Sequence, residues 1–148
     1  MAEVKIQFCC GTNKPDGWIN LDAECDITKP LPFPDNHADM CFCEHGLEHV
    51  SGPNAFRFLR ECHRILKKDG VVRICVPVLD DLNDDHARDI ILNHGHECAY
   101  TWALLGRMIE LAGFNDVTRT FKAAQDGHWR VIGEEKDRIE TARFEGTK

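Results

Sequence analysis

One segment constrains how the rest of the chain can fold. Between residues 53 and 68, Ala55, Phe58, Leu59, Cys62, Ile65 and Leu66 recur at three-to-four spacing, the period of a helix with one buried stripe. Pro53 suits the first helical turn, Lys67 and Lys68 stand at the negative end of the dipole, and Gly70 lies just beyond. An apolar run over residues 38–43 precedes this helix. A second, over residues 71–76, follows it and is stopped by Pro77. Strand, helix, strand is the unit that builds a parallel pair, so the expected fold is α/β with a mainly parallel sheet.

The remaining elements extend that unit. Residues 4–9 alternate apolar and polar side chains as a first strand, with a turn over 11–17. Residues 18–22 form a second short strand ending in a carboxylate, and Cys25, Asp26 and Ile27 a third fragment. The proline-rich stretch 29–34 rules out a regular ladder. Residues 44–50 read as a turn and short helix, and 78–93 as a polar connection with room for a helical turn. Thr101 caps a second long helix carrying Trp102, Leu105, Met108, Ile109 and Ala112, which ends at Gly113. A strand over 115–121, a loop over 122–137 and a last strand over 138–144, antiparallel to its neighbour, complete a single domain of 148 residues with 122–148 as a variable tail.

Only the crossovers at 53–68 and 101–112 are long enough for helices, and both are expected on one side of the sheet. Val4, Ile6, Phe8, Met40, Phe42, Val72, Ile74 and Val76 are assigned to an apolar face. Lys5, Gln7, Cys41, Cys43, Val71, Arg73 and Cys75 are assigned to a mixed one. A mixed face with no helix over it predicts a homodimer, or the tail as its cover.

Composition excludes several classes. A net charge of −7 with 18 scattered basic residues argues against bulk nucleic-acid binding. No apolar run is long enough to span a bilayer, and the first residues do not resemble a signal peptide, so the chain is read as cytoplasmic with no membrane partner. The eight cysteines are irregularly spaced and are read as reduced.

In an open parallel sheet, ligands bind outside the carboxyl ends of the strands. That places Cys9, Cys10 and Gly11, Asp22 and Ala23, Asp26 and Ile27, Glu44 and His45, and Pro77 and Val78 around one site. Phe8-Cys-Cys-Gly11, Gly17-Trp-Ile-Asn-Leu-Asp22, the segment from Asp26 to Asp35 and Glu44-His-Gly-Leu-Glu-His49 occur in that order. With residues 59–77 and 100–114, this combination resembles the class I S-adenosylmethionine-dependent methyltransferases. It is most similar to a small group in which a Gly-Cys-Gly turn runs almost directly into a Gly-Trp-x-Asn-x-Asp strand. The resemblance spans about residues 4–121. It implies a Rossmann-like methyltransferase sheet in a minimal version lacking the first crossover helices.

The same resemblance implies S-adenosylmethionine as cofactor and methyl transfer to an unidentified acceptor. Gly11 would approach the methionine end, Asp22 the ribose hydroxyls, Asp26 and Ile27 the adenine, and Glu44 and His45 the opening toward the methyl group. His96 with Tyr100 is similar to a family pair at the active-site rim. The family's first glycine is replaced here by Cys9, whose side chain would narrow the place where backbone must approach the ligand.

A neutral imidazole can accept the acceptor's proton at pH 7, which makes His45 or His49 the candidate catalytic base. Cys41, Cys43 and His45 with Cys75, and His94, His96 and Cys98, are loose clusters of metal-ligand types. They lack paired loop hooks, and no metal is expected. Two other readings stand beside the enzyme: a binding or regulatory module on the same fold without catalysis, and a Cys/His metal-binding or redox protein, disfavoured by the absence of a Cys-x-x-Cys pair.

Overall fold

The computed structural model describes residues 2–80, 82–119 and 141–148, with side chains at 141 and 142 left aside. Six strands form one sheet in the order β2-β1-β3-β4-β6-β5: β1 is Lys5–Phe8, β2 Ile19–Asn20, β3 Ala38–Glu44, β4 Leu66–Pro77, β5 Asn115–Arg119 and β6 Thr141–Thr147. The strands from β2 to β4 pair in parallel, and β6 runs antiparallel between β4 and β5. Among the described residues three helices follow the same chain order: α1 Gly52–Ile65, α2 Asp84–Leu92 and α3 Trp102–Leu111.

The predicted helix over 53–68 is α1, which buries Ala55, Phe58, Leu59, Cys62 and Ile65 but ends at Ile65: Leu66 is already extended, and Leu66, Lys67 and Lys68 belong to β4, which starts ahead of the expected strand over 71–76. Thr101 caps α3 as expected, its side chain accepting from the Leu104 N–H at 3.1 Å. The connection after β4 holds a full helix, α2, capped by Asn83 and burying no residue. The turn after β3 closes as a 3₁₀ helix, Leu47–His49. The fragment at Cys25, Asp26 and Ile27 is a turn and not a strand, because Asp26 Oδ1 accepts from both the N–H and the hydroxyl of Thr28. The expected last strand is present, shifted to Thr141–Thr147; residues 120–140, which hold the predicted loop and the start of that strand, lie outside the described residues.

No helix crosses over after β2, and the proline-rich loop in its place is held from α1. The Arg64 guanidinium donates to the carbonyls of Leu31 and Phe33 and pairs with Asp35 and Glu61. Glu61 accepts the Leu31 N–H at 2.8 Å. Beside that guanidinium, the Glu61 carboxyl titrates below the usual range. Ile27 and Leu31 are thereby tucked into the main core.

Register corrects the face assignment. Ile6 pairs with Cys41, Phe8 with Cys43, Cys41 with Val72 and Cys43 with Ile74. Cys41 and Cys43 therefore lie with Ile6, Phe8, Val72 and Ile74 in the core under α1 and α3, while Met40 and Phe42 join Trp18, Val71 and Cys75 on the opposite face. Cys75 is thus separated from Cys41 and Cys43 by the sheet, which dissolves that candidate metal set. The second face is not left open: Phe42, Arg73 and Cys75 are fully buried within one chain. The homodimer therefore no longer follows from an uncovered sheet.

Candidate active site at the strand ends

The carboxyl ends of β1 and β3 break into left-handed backbone at residues that are not glycine. Cys9 follows β1 with φ +54°, and His45 follows β3 with φ +52°. Such conformations cost of order 1–3 kcal/mol for a residue with a Cβ and persist where the surroundings over-determine them. The Cys10 N–H donates to Leu21 O at 3.0 Å and the His45 N–H to Cys75 O at 2.8 Å, so each kink is tied to a neighbouring strand end. Gly11 continues the first kink at φ +52° with open space where a Cβ would stand.

Around these kinks lies a cavity of about 550 Å³, lined by Gln7, Cys9, Cys10, Gly11, Thr12 and Asn13 from β1 and its turn, by Glu44, His45 and Pro77 from the ends of β3 and β4, and by Asp89, Ile90, His94 and His96 from α2 and the loop after it. Clefts that bury small ligands run from about 300 to 1,000 Å³. The structure thus brings Cys9, Cys10, Gly11, Glu44 and His45 together as expected. It does not bring Asp22, Ala23, Asp26 or Ile27 to the lining. Asp22 and Ala23 are exposed on the turn after β2, close enough for the Asp22 charge to help raise the Cys10 thiol, whose burial is the larger cause. Asp26 spends its carboxylate on Thr28, and Ile27 is buried in the core.

Cys9 does not block the turn in the way its replacement of a glycine implies. Its side chain packs against Gly46 and Cys43: a Cβ on Gly46 would meet Cys9 Sγ at 2.6 Å and Cys43 Sγ at 2.8 Å. The hydrogen bond from Cys43 holds the Cys9 thiol below its ordinary pKa, and giving that hydrogen pushes the buried Cys43 thiol well above it. A missing side chain at Gly46 makes room for the extra one at Cys9.

The histidines divide. His45 lines the cavity, and its Nδ1 lies 3.2 Å from Oε1 of Glu48, a carboxylate only 2% exposed. His49 stands outside the lining with its Nδ1 3.3 Å from Gly95 O. Tyr100 is not at the rim: it is fully buried, its hydroxyl donates to Leu47 O at 3.3 Å, and burial pushes the phenol well above its ordinary pKa. Sequence reasoning missed Gln7 and the contribution of α2. Ile90, Ile91 and Leu92 just before the His94-Gly-His96 run were the available signal.

Residues 8–74 match the methyltransferase domain family. No curated protein matches the chain. Among solved structures, a SAM-dependent methyltransferase from Archaeoglobus fulgidus is similar at a TM-score of 0.71 and 18% identity, over 99% of this chain and 86% of that one. One from Thermotoga maritima gives 0.65 and 18%, over 98% and 82%. A chain from the complex of the Haloferax volcanii Trm112 methyltransferase activator with a methyltransferase gives 0.66 and 15%, over 99% and 82%. No helix among the described residues is long and apolar enough to cross a membrane.

Proposed function

From a chain whose residues 8–74 match the methyltransferase domain and whose fold is that of S-adenosylmethionine-dependent methyltransferases, we propose that it binds S-adenosylmethionine in the strand-end cavity and transfers its methyl group to an acceptor presented beside His45. The observation that carries this reading is the left-handed turn of Cys9 and Gly11, which opens backbone onto a cavity edged by Glu44 and His45. The cofactor, when bound, supplies a methyl group on a positively charged sulfur.

The chain's own residues position and deprotonate. Gly11 allows close approach at the turn, where N–H groups other than those of Cys10 and Asn13, which donate to Leu21 O and Cys10 O, are proposed to serve a carboxylate. Asp22 is assigned to the ribose hydroxyls from the turn after β2, whereas Asp26, held by Thr28, and Ile27, buried in the core, are no longer assigned to the adenine. His45 is the proposed base in preference to His49, because it faces the cavity and Glu48 fixes its ring through Nδ1. Cytoplasmic location and a homodimer belong to the same reading. With the second sheet face buried inside one chain, sedimentation of the purified chain decides the homodimer directly.

Calorimetric titration with S-adenosylmethionine and S-adenosylhomocysteine tests the proposal. Micromolar binding is expected, and no heat at millimolar ligand would overturn it. Asp22→Ala should weaken the affinity by about tenfold, the scale of a lost hydrogen bond. An unchanged Kd would return Asp22 to the role of a strand-end carboxylate. His45→Ala should lower methyl-transfer turnover by about a hundredfold while leaving cofactor Kd within about twofold, the pattern of a proton-transfer residue. Equal turnover in variant and parent would remove His45 as the base.

A further inference from the structure

We propose that Glu48, His49 and His96 bind a divalent transition-metal ion at the edge of the cavity. One ligand atom from each of the three lies within 4.8 Å of the other two, though they come from two separate segments of chain. The juxtaposition is built by backbone: the N–H groups of Glu97 and Cys98 donate to Glu48 O at 2.7 and 3.1 Å, fastening the loop of His96 onto the 3₁₀ helix that carries Glu48 and His49.

Each side chain is also prepared for the role. His49 Nδ1 lies 3.3 Å from Gly95 O and His96 Nδ1 lies 2.8 Å from Ile90 O. A backbone carbonyl accepts only from an N–H, so both rings are held with the proton on Nδ1 and the lone pair on Nε2. That is the arrangement in which histidines ligate metals. The two rings meet edge to face, their centroids 4.9 Å apart at 71°.

Glu48 supplies the charge. It is 2% exposed, yet its Oε2 has no hydrogen-bond partner, while Oε1 is 3.2 Å from His45 Nδ1 and 3.9 Å from His49 Nε2. A buried carboxylate oxygen without a partner is costly, and a cation is the partner that its charge and two adjacent imidazoles would share. Two imidazoles and one carboxylate suit zinc, manganese, iron or cobalt and leave coordination positions open. His96 lines the cavity, so an open position faces it. Given the methyl-transfer reading, that position is offered to an oxygen or nitrogen of the acceptor, next to His45.

Titration of the chelator-stripped full chain with Co²⁺, followed by absorption and without cofactor present, separates this proposal from the cofactor reading. One equivalent should bind with ligand-field bands and no thiolate-to-cobalt charge-transfer band, which excludes the cysteines as ligands. His49→Ala, cut at a side chain 45% exposed, and His96→Ala should each weaken binding by at least about tenfold. Glu48→Gln should do the same, and His86→Ala on α2 should not. Absence of saturable binding, or binding that survives in the His49→Ala/His96→Ala double variant, would overturn the site whatever S-adenosylmethionine does.

Discussion

Gly46→Ala should destabilise the protein by about 1–3 kcal/mol, the range of overpacking in a filled core, and weaken cofactor binding with it. The added methyl would stand 2.6 Å from Cys9 Sγ, 2.8 Å from Cys43 Sγ and 2.9 Å from Cys9 Cβ. The two sulfurs end side chains that turn about a single bond, and Cys9 Cβ is fixed to the backbone. Cys43 is fully buried in the sheet, and Cys9 sits in a kink whose next N–H is bonded to Leu21 O. Relief would have to come from the turn itself, which edges the cavity. Cys9→Gly placed in the same chain removes two of the three clashes and puts glycine where φ is +54°. The two substitutions should therefore be strongly non-additive, the double variant standing above Gly46→Ala alone. Urea unfolding of the four proteins measures this, and simply additive losses would show that Cys9 and Gly46 do not share that space.

This compensation marks the limit of what could be read in the sequence. The replacement of a glycine by Cys9 was legible, but the residue that accommodates it lies 37 positions later, and nothing local in Gly46 says which neighbour it makes room for. The same distinction runs through the fold. Helix α1 and the strands on either side of it were legible because their signals are periodic and local. The phase of β3 was not. Hydropathy groups Met40 and Phe42 with Ile6 and Phe8, but register sets the small Cys41 and Cys43 under α1 and sends the bulkier pair to the far face. Register is a property of two paired strands, and the hydropathy of one strand alone does not carry it. The loop at 29–35 reads as an absence of structure, whereas Arg64 and Glu61 give it fixed partners from about thirty residues away. At the site, His45, Glu48 and His49 stand out as a cluster on one short segment. His96 is brought to them by the N–H groups of Glu97 and Cys98 and by the carbonyl of Gly95, backbone groups that leave no trace in side-chain pattern.

Phe58→Ala should cost about 3–5 kcal/mol, the scale of emptying a buried phenylalanine site. Phe58 is fully buried on α1, and its ring meets that of Phe8 edge-on at 5.2 Å and 87°. Phe8 in turn meets Phe33 at 6.4 Å, so one ring links α1, the end of β1 and the proline-rich loop. A domain of this size has a net stability of about 5–15 kcal/mol, so the variant would keep little of it. Phe8 is also the last residue of β1, immediately before the kink at Cys9, and the void would open directly beneath the turn that edges the cavity. A ligand that binds only the folded state adds about 2.7 kcal/mol at a hundredfold excess over Kd. On the proposed cofactor reading, saturating S-adenosylhomocysteine should therefore raise the melting temperatures of variant and parent alike. Phe58→Leu keeps much of the volume and should lose less than half as much. Urea midpoints for the two variants, with and without ligand, decide the matter: a loss below about 1 kcal/mol for Phe58→Ala would mean that the Phe58 ring is not what joins α1 to the end of β1.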